Sequence, residues 1–150
     1  MPVPARPLVE PAVVSAPGKG PAANTATFDI VLPPANDLFA AATPLAGASA
    51  AVTGSNRAAT KDPGEPAHAG NAGGRSVWWT WTAPAAGTVT VNTDGSGFDT
   101  LLAVYTGGSV ASLALVAQDD DSGTGLNSRV SFNAAAGTTY RIAVDGYGSA

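Results

Sequence analysis

The stretch TTYRIAV at residues 138–144, followed by DGYGSA at residues 145–150, decides how the fold is interpreted. Tyr140, Ile142 and Val144 alternate with Thr139, Arg141 and Ala143, a pattern typical of a β-strand with one buried and one solvated face. In a β-sandwich, the glycine-rich turn that follows would lead into one more strand. We therefore expect a sandwich that takes this strand from elsewhere.

Strand and turn signals alternate through residues 36–150. The chain has 18 glycines and 12 prolines, and its many small and β-branched residues favour short strands over helices. The regular spacing of the strand-like runs indicates an all-β sandwich or barrel. We predict a short helical turn in residues 36–43, capped by an Asn or Asp, and a long polar loop over residues 56–74. The predicted strands are residues 76–82, 88–93, 99–105, 112–117, 129–133 and 138–144, with a weak strand at 48–53.

Residues 77–81, VWWTW, are the most aromatic part of the sequence. Alternation places Val77, Trp79 and Trp81 on one face of the predicted strand, which we assign to the core. Trp78 then points the other way. It either packs under residues 36–43 or is exposed as a surface contact, where an aromatic ring could stack on a sugar.

The first 23 residues form a proline-rich arm with six prolines. Proline fixes φ and removes a backbone donor, so we expect this arm to be extended and not folded on itself. A disordered linker is the plain alternative. Four apolar side chains could instead hold the arm against a neighbouring surface; they are Leu8, Val9, Val13 and Val14.

Residues 24–35 combine a candidate strand with a Pro-Pro linker. Phe28, Ile30 and Leu32 would share one face, and Thr27 and Val31 the other. This strand could fill the missing position of its own sandwich or that of another copy. The short, stiff linker at residues 33–35 makes a return to the same sandwich awkward, so donation to a neighbour is favoured. A trimmed piece of a tandem array is the remaining alternative.

Residues 36–150 resemble the bacterial pre-peptidase C-terminal (PPC) domain. The resemblance implies a jelly-roll-like antiparallel β-sandwich, usually non-catalytic, found on secreted proteins. Family members continue into a final strand after the turn at residues 145–147, and residues 22–32 look like that strand moved to the N-terminus. The matching pieces are NDLFA (36–40), GEPAHAG (64–70), GRSVWWTWTAP (74–84), FDTL (98–101), VYTG (104–107), DDDS (119–122), SRV (128–130) and YRIAVDG (140–146).

Calcium is the one candidate cofactor. Asp119 and Asp121 lie two residues apart in a glycine-containing loop, as an oxygen-ligand Ca²⁺ site requires, and Asp99 could join them. The alternative is a turn stabilised by an Asp side chain, with solvated acids. The resemblance implies a second site, because some relatives bind Ca²⁺ just ahead of the first element; its remaining ligands here would be Asn36, Asp37 and Glu65.

Composition narrows the function classes. The net charge is −4 and charged residues make up 12%, which argues against nucleic acid and anionic membranes as partners. We expect no membrane span, because no stretch has the apolar length required. The first residues lack a signal-peptide pattern, so export would have used a leader already removed, unless the chain is a trimmed piece.

Catalysis is not expected, since a lone histidine, His68, has no nucleophile beside it in the sequence. Two functions stay open. The first is a structural subunit of an extracellular or cell-surface filament, a homopolymer in which each copy donates its N-terminal strand to the next. The second is a monomeric secreted accessory module that binds a protein or carbohydrate, with or without calcium.

Overall fold

The structure is a computed structural model that describes residues 30–150 and two short strands, Val13–Ser15 (β1) and Thr25–Thr27 (β2). The chain divides into two units, Met1–Leu32 and Pro33–Ala150. In the first unit β1 and β2 pair antiparallel, with Val13 opposite Thr27. β1 belongs to the proline-rich arm and β2 to the segment that follows it, so the expectation of an arm that does not fold on itself stays a prediction.

The predicted arm contacts and donor strand are only partly described. Leu8, Val9 and Phe28 lie outside the described residues, and Val13 and Val14 belong to β1. The strand expected to run through Leu32 ends at Thr27. Residues 30–32 pair with no strand among the described residues, and an apolar strand without a partner sheet has little to hold it extended.

The second unit contains seven strands in two sheets, and the all-β sandwich is confirmed. The larger sheet has the order β3-β4-β9-β6-β7, and the smaller sheet pairs β5 with β8. All strand pairs in this unit are antiparallel except β3 with β4, which is parallel. The jelly-roll connectivity stays a prediction. The strands are Thr43–Leu45 (β3), Val77–Thr82 (β4), Gly87–Asn92 (β5), Thr100–Thr106 (β6), Ala114–Asp119 (β7), Arg129–Ala134 (β8) and Thr139–Gly146 (β9).

Three local predictions need correction. Residues 48–53 form a loop and not a strand, because their alanine-rich sequence has little strand propensity. The unpredicted strand β3 contains Pro44, which is tolerated because β3 is an edge strand. The helical turn is a 3₁₀ helix, Phe39–Ala41. Its first N–H is capped by Asp62 Oδ2 at 2.7 Å, and not by the Asn or Asp of residues 36–37. Two further 3₁₀ turns are Val110–Ser112 and Tyr147–Ser149.

The main core lies between the two sheets. Trp81 and Tyr140 stack with ring centroids 5.9 Å apart, and Phe132 of the smaller sheet packs on Tyr140 at 4.9 Å. Leu102 and Ile142 complete the centre of this cluster. Large apolar side chains from neighbouring strands thus exclude water from the part of the inner face that the smaller sheet covers.

The outer face of the larger sheet is covered as well. Phe39, Trp78, Ala103, Tyr105 and Ala143 form a second buried cluster. The expectation of one solvated face on β9 is therefore wrong. β9 lies in the middle of its sheet, and Ala143 points into this second cluster with no exposed surface.

Trp78 occupies the centre of the second cluster. Its side chain has 0% exposure, and its ring meets Phe39 edge-on at 5.3 Å between centroids. The backbone on either side is held by Asn36, whose carbonyl accepts the Trp78 N–H and whose side chain donates to the Trp78 carbonyl. The possible surface contact at Trp78 is thus wrong, because residues 36–43 bury the ring.

We expect Trp78→Ala to lower the free energy of unfolding by about 3–5 kcal/mol, because it removes a fully buried indole from a packed cluster. Leu126→Ala, at a side chain that is 58% exposed, should change it by less than about 0.5 kcal/mol. Urea unfolding followed by fluorescence or circular dichroism measures both. Equal stability of the two variants would contradict the packing described for Trp78.

Candidate assembly groove

The outer edge of β5 is unpaired in the part of the chain that the structure describes. β5 pairs with β8 along its whole length, and no strand among the described residues pairs with its other edge. An unpaired edge presents a row of backbone donors and acceptors that can template another strand. The smaller sheet is therefore open at the outer edge of β5.

Ladder alternation identifies which residues face the open edge. The Thr93 N–H donates to the Ser128 carbonyl at 3.0 Å, at the position that continues the β5–β8 register. Antiparallel pairs alternate between bonded and non-bonded residues, so Val91 and Val89 also bond to β8. The backbone N–H and C=O groups of Thr88, Thr90 and Asn92 then point to the open edge.

Cross-strand side-chain contacts agree with this assignment. The Thr90 hydroxyl lies 2.8 Å from that of Ser131, and the Thr88 hydroxyl 3.0 Å from Asn133 Oδ1. Non-bonded pairs bring opposing side chains closest. The open edge thus offers three N–H and three C=O groups.

A groove of about 540 Å³ with an apolar floor lies beside this edge, and serine, threonine and asparagine residues also line it. Its floor is the inner face of the larger sheet, including Trp79, Leu102 and Ile142. Val89 and Val91 line it from β5, and the loop over residues 48–56 lines it as well. The Trp81 indole N–H holds this loop by donating to the Gly47 carbonyl at 2.9 Å. An edge with free backbone groups next to an apolar trough is what β-strand addition requires.

The predicted donor segment exposes apolar side chains. Ile30 is 70% exposed, Leu32 66% and Val31 40%. Three consecutive exposed aliphatic residues are unfavourable in water and suit a segment that is covered by a partner.

The acidic loop brings together a different set of carboxylates from the one expected. Asp99, Asp120 and Asp121 place ligand oxygens within 4.8 Å of one another. One oxygen each of Asp99 and Asp120 is buried without a hydrogen-bond partner. Partial burial and then the neighbouring carboxylates raise the pKa of Asp120. The crowded oxygens could accept a cation such as Ca²⁺, so the calcium site stays a prediction, with Asp120 in place of Asp119.

Asp119 has a different role from the one expected. Its carboxylate accepts the N–H and hydroxyl of Ser122 at 2.8 and 2.6 Å, and the N–H of Arg129 at 2.8 Å. Partial burial alone would raise the pKa of Asp119, but these hydrogen bonds lower it. Asp119 thus shapes the loop, as the alternative of an Asp-stabilised turn proposed.

The second predicted calcium set is already engaged within the protein. Asn36 bonds to the backbone of Trp78. Asp37 accepts the N–H and the hydroxyl of Thr60 at 2.6 and 2.9 Å, and Glu65 accepts the Asp62 N–H at 2.9 Å. Asp37 belongs to neither of the metal-ligand groups found among the described residues, and Glu65 is grouped with His68 and Asp145 instead. The structure therefore gives these residues a structural role.

A buried polar network surrounds His68, and the sequence did not predict that Tyr105, Lys61 and Asp145 belong to it. His68 has no exposed surface; its Nδ1 lies 2.7 Å from the Tyr105 hydroxyl and its Nε2 2.7 Å from Glu65 Oε1. A carboxylate only accepts, so Nε2 donates to Glu65, and in the neutral ring Nδ1 accepts from Tyr105. Burial and then the Glu65 charge raise the pKa of Tyr105 to about 12, which keeps the hydroxyl protonated.

Lys61 neutralises the acids of this network. Its Nζ lies 3.4 Å from Asp145 Oδ2 and 3.9 Å from Glu65 Oε1. Asp145 is fully buried and also accepts the N–H groups of Gly74 and Arg75. Glu65, His68 and Asp145 have metal-ligand spacing, but the ammonium group and these hydrogen bonds already satisfy them. In the sequence, Glu65 and His68 are neighbours within GEPAHAG, but Asp145 is far away along the chain. Only the fold brings Asp145 close to them.

Comparison with known proteins identifies a family that resembles the second unit. Residues 75–146, from β4 to β9, match the family model described as Bacterial pre-peptidase C-terminal domain, PPC. The match confirms the resemblance over these residues. Searches of curated proteins and of solved structures found no match. No helix among the described residues is long and apolar enough to cross a membrane.

Calcium binding is tested most directly at Asp120. If the cluster binds Ca²⁺, Asp120→Asn should weaken binding by about tenfold or more, because it removes a charged ligand. Asp37→Asn, in the alternative set, should leave affinity unchanged. Isothermal titration with CaCl₂ measures both, and the prediction fails if Asp37→Asn is the variant that loses affinity.

Glu65 should make the protein sensitive to acid. Burial alone would raise the pKa of Glu65, but the hydrogen bond with His68 and the Asp62 N–H outweigh it, so the pKa is lowered. The unfolded chain, with a carboxyl pKa near its ordinary value of about 4.3, then binds the proton more readily. The stability that Glu65 contributes is present above that value and is lost as pH falls through the folded pKa.

Comparison of wild type with Glu65→Gln checks this sign. The variant should be less stable at pH 7 by on the order of 1–2 kcal/mol, because a hydrogen bond to a charged group is weakened. The difference should shrink as pH falls below about 4. Urea unfolding at several pH values measures it. A difference that is constant with pH would show that the Glu65 charge contributes nothing.

Proposed function

We propose that the chain is a non-catalytic secreted module that serves as the structural subunit of an extracellular filament. The match of residues 75–146 to the bacterial pre-peptidase C-terminal domain supports a secreted β-sandwich module. Each copy donates residues 25–32 to the open edge of β5 in the next copy. The observation that supports this function is the unpaired edge of β5 beside an apolar groove.

The energy available from filling the groove is large. Burial of Phe28, Ile30 and Leu32 would contribute about 1.5–3 kcal/mol for each side chain. Each new ladder hydrogen bond adds about 1 kcal/mol net. A domain of this kind is stable by only about 5–15 kcal/mol in total, so an occupied groove is strongly favoured over an empty one.

Donation to a neighbour is favoured over return to the same sandwich. Pro33 and Pro34 stiffen the connection, and polyproline advances about 3.1 Å per residue without reversing direction. A donor on one side of a subunit and an acceptor on another make a head-to-tail contact, which forms fibres unless the geometry closes a ring. The low content of charged residues, 12%, leaves little repulsion between copies.

A monomeric secreted module that binds calcium is the second candidate. The buried, unpartnered oxygens of Asp99 and Asp120 favour it. A sugar-stacking role for Trp78 does not belong to this candidate, because the indole is fully buried. The two candidates differ in their dependence on residues 30–32.

Ile30→Asp should abolish filaments of the full-length chain, because a carboxylate would have to enter the apolar groove unpaired. Val31→Asp, on the other face of the same strand, should still assemble. Both side chains are exposed in the single chain, so the monomer should unfold at nearly the wild-type temperature in both cases. Light scattering and negative-stain electron microscopy measure assembly.

An excess of a peptide spanning residues 24–33 should shorten wild-type filaments by occupying the groove. A wild-type chain that stays monomeric at high concentration would instead support the accessory-module function. Equal loss of assembly in Ile30→Asp and Val31→Asp would contradict the proposal that only one face of the donated strand enters the groove.

A further inference from the structure

We infer one register for the donated strand, which rests on the proposed filament function: it runs antiparallel to β5, with Val31 opposite Thr88 and Thr27 opposite Asn92. The inference uses the backbone groups that face the open edge and the position of Pro33. It specifies which side chains of one copy meet which residues of the next.

The direction follows from the sheet that receives the strand. β5 already pairs antiparallel with β8, and antiparallel pairing is the rule in this unit apart from the short β3–β4 pair. In an antiparallel ladder, residues directly opposite share a face and the bonded pairs exchange both hydrogen bonds. Thr88, Thr90 and Asn92 therefore bond to incoming residues whose side chains point to solvent.

Three registers place the apolar face of residues 28–32 inward, and they differ by steps of two residues. With Val31 opposite Thr90, Thr88 would face Pro33, which has no N–H and would leave the Thr88 carbonyl unpaired. With Thr27 opposite Thr90, Leu32 would lie beyond the end of β5. With Val31 opposite Thr88, all six free backbone groups of β5 find partners.

The selected register also distributes the apolar side chains along the groove. Ile30 lies opposite Val89 and Phe28 opposite Val91, and both valines pack against the main core. These are non-bonded pairs, in which side chains approach most closely. Leu32 lies opposite Gly87, where the absence of a side chain leaves room for it. The register that places all the apolar residues of the donated strand along the groove is thus the same register that pairs all the free backbone groups of β5.

Cysteine cross-linking of the full-length chain tests the register, and the absence of native cysteine removes background. Chains carrying Val31→Cys are mixed with chains carrying Thr88→Cys, assembled and mildly oxidised. A bonded antiparallel pair has a Cα separation of about 5.5 Å, within the range of about 4.4–6.8 Å that a disulfide needs. We expect a disulfide-linked dimer as the main product on a non-reducing gel.

The matched control mixes Val31→Cys with Thr90→Cys, which lies two residues away on the same exposed face. Little dimer is expected from it. If this pair links and the first does not while light scattering still shows assembly, the register is wrong and the filament function stands. If neither mixture links and no assembly occurs, the filament function fails as well.

The double variant Val31→Cys/Thr88→Cys separates donation between copies from return to the same sandwich. Donation between copies predicts a ladder of disulfide-linked oligomers, because every chain both gives and receives a strand. A monomer that migrates faster after oxidation, with no dimer in the mixed samples, would show that the strand enters its own sandwich and would overturn the inference.

Discussion

The larger sheet is covered on both faces, and the rest of the second unit is arranged around that constraint. Its central strands carry apolar side chains on both sides, so Ile142 enters one cluster and Ala143 the other. A two-faced strand in an antiparallel sheet needs a covering layer on each side. The 36–43 and 56–74 segments provide one layer, and the two-stranded sheet provides part of the other. The groove is the part of the inner face that β5 and β8 are too few to cover.

The two covering layers differ in how they are held. The outer layer is fixed by directional bonds: His68, Glu65, Tyr105, Lys61 and Asp145 join the long loop to the sheet. Such a buried network is stable only when each member is paired. The inner layer is held by directional bonds among Thr93, Thr100 and Ser128 at one end, and elsewhere by apolar contacts, which are non-directional. An incoming strand can therefore replace water in the groove without breaking a specific bond.

The sequence was informative where local pattern and burial agree. Alternation in TTYRIAV located β9, and the turn residues located the ends of six strands. It failed where burial depends on distant residues: no pattern in VWWTW shows that residues 36–43 cover Trp78, and none in DDDS shows that Asp119 bonds to Ser122 while Asp120 faces Asp99. The weak strand at 48–53 was wrong because alanine-rich runs carry little information about pairing.

Open edges are normally a liability, and soluble proteins blunt them with proline, charge or short length. The larger sheet follows this practice at β3, which is three residues long and contains Pro44. β5 does not: it has six residues without proline or charge, and threonines at two of its four exposed positions. Threonine favours strand pairing. An unprotected strand edge beside the groove is better explained as an acceptor for an added β-strand than as a chance feature. Residues 30–32 of this chain are exposed, and their side chains alternate as such a strand requires.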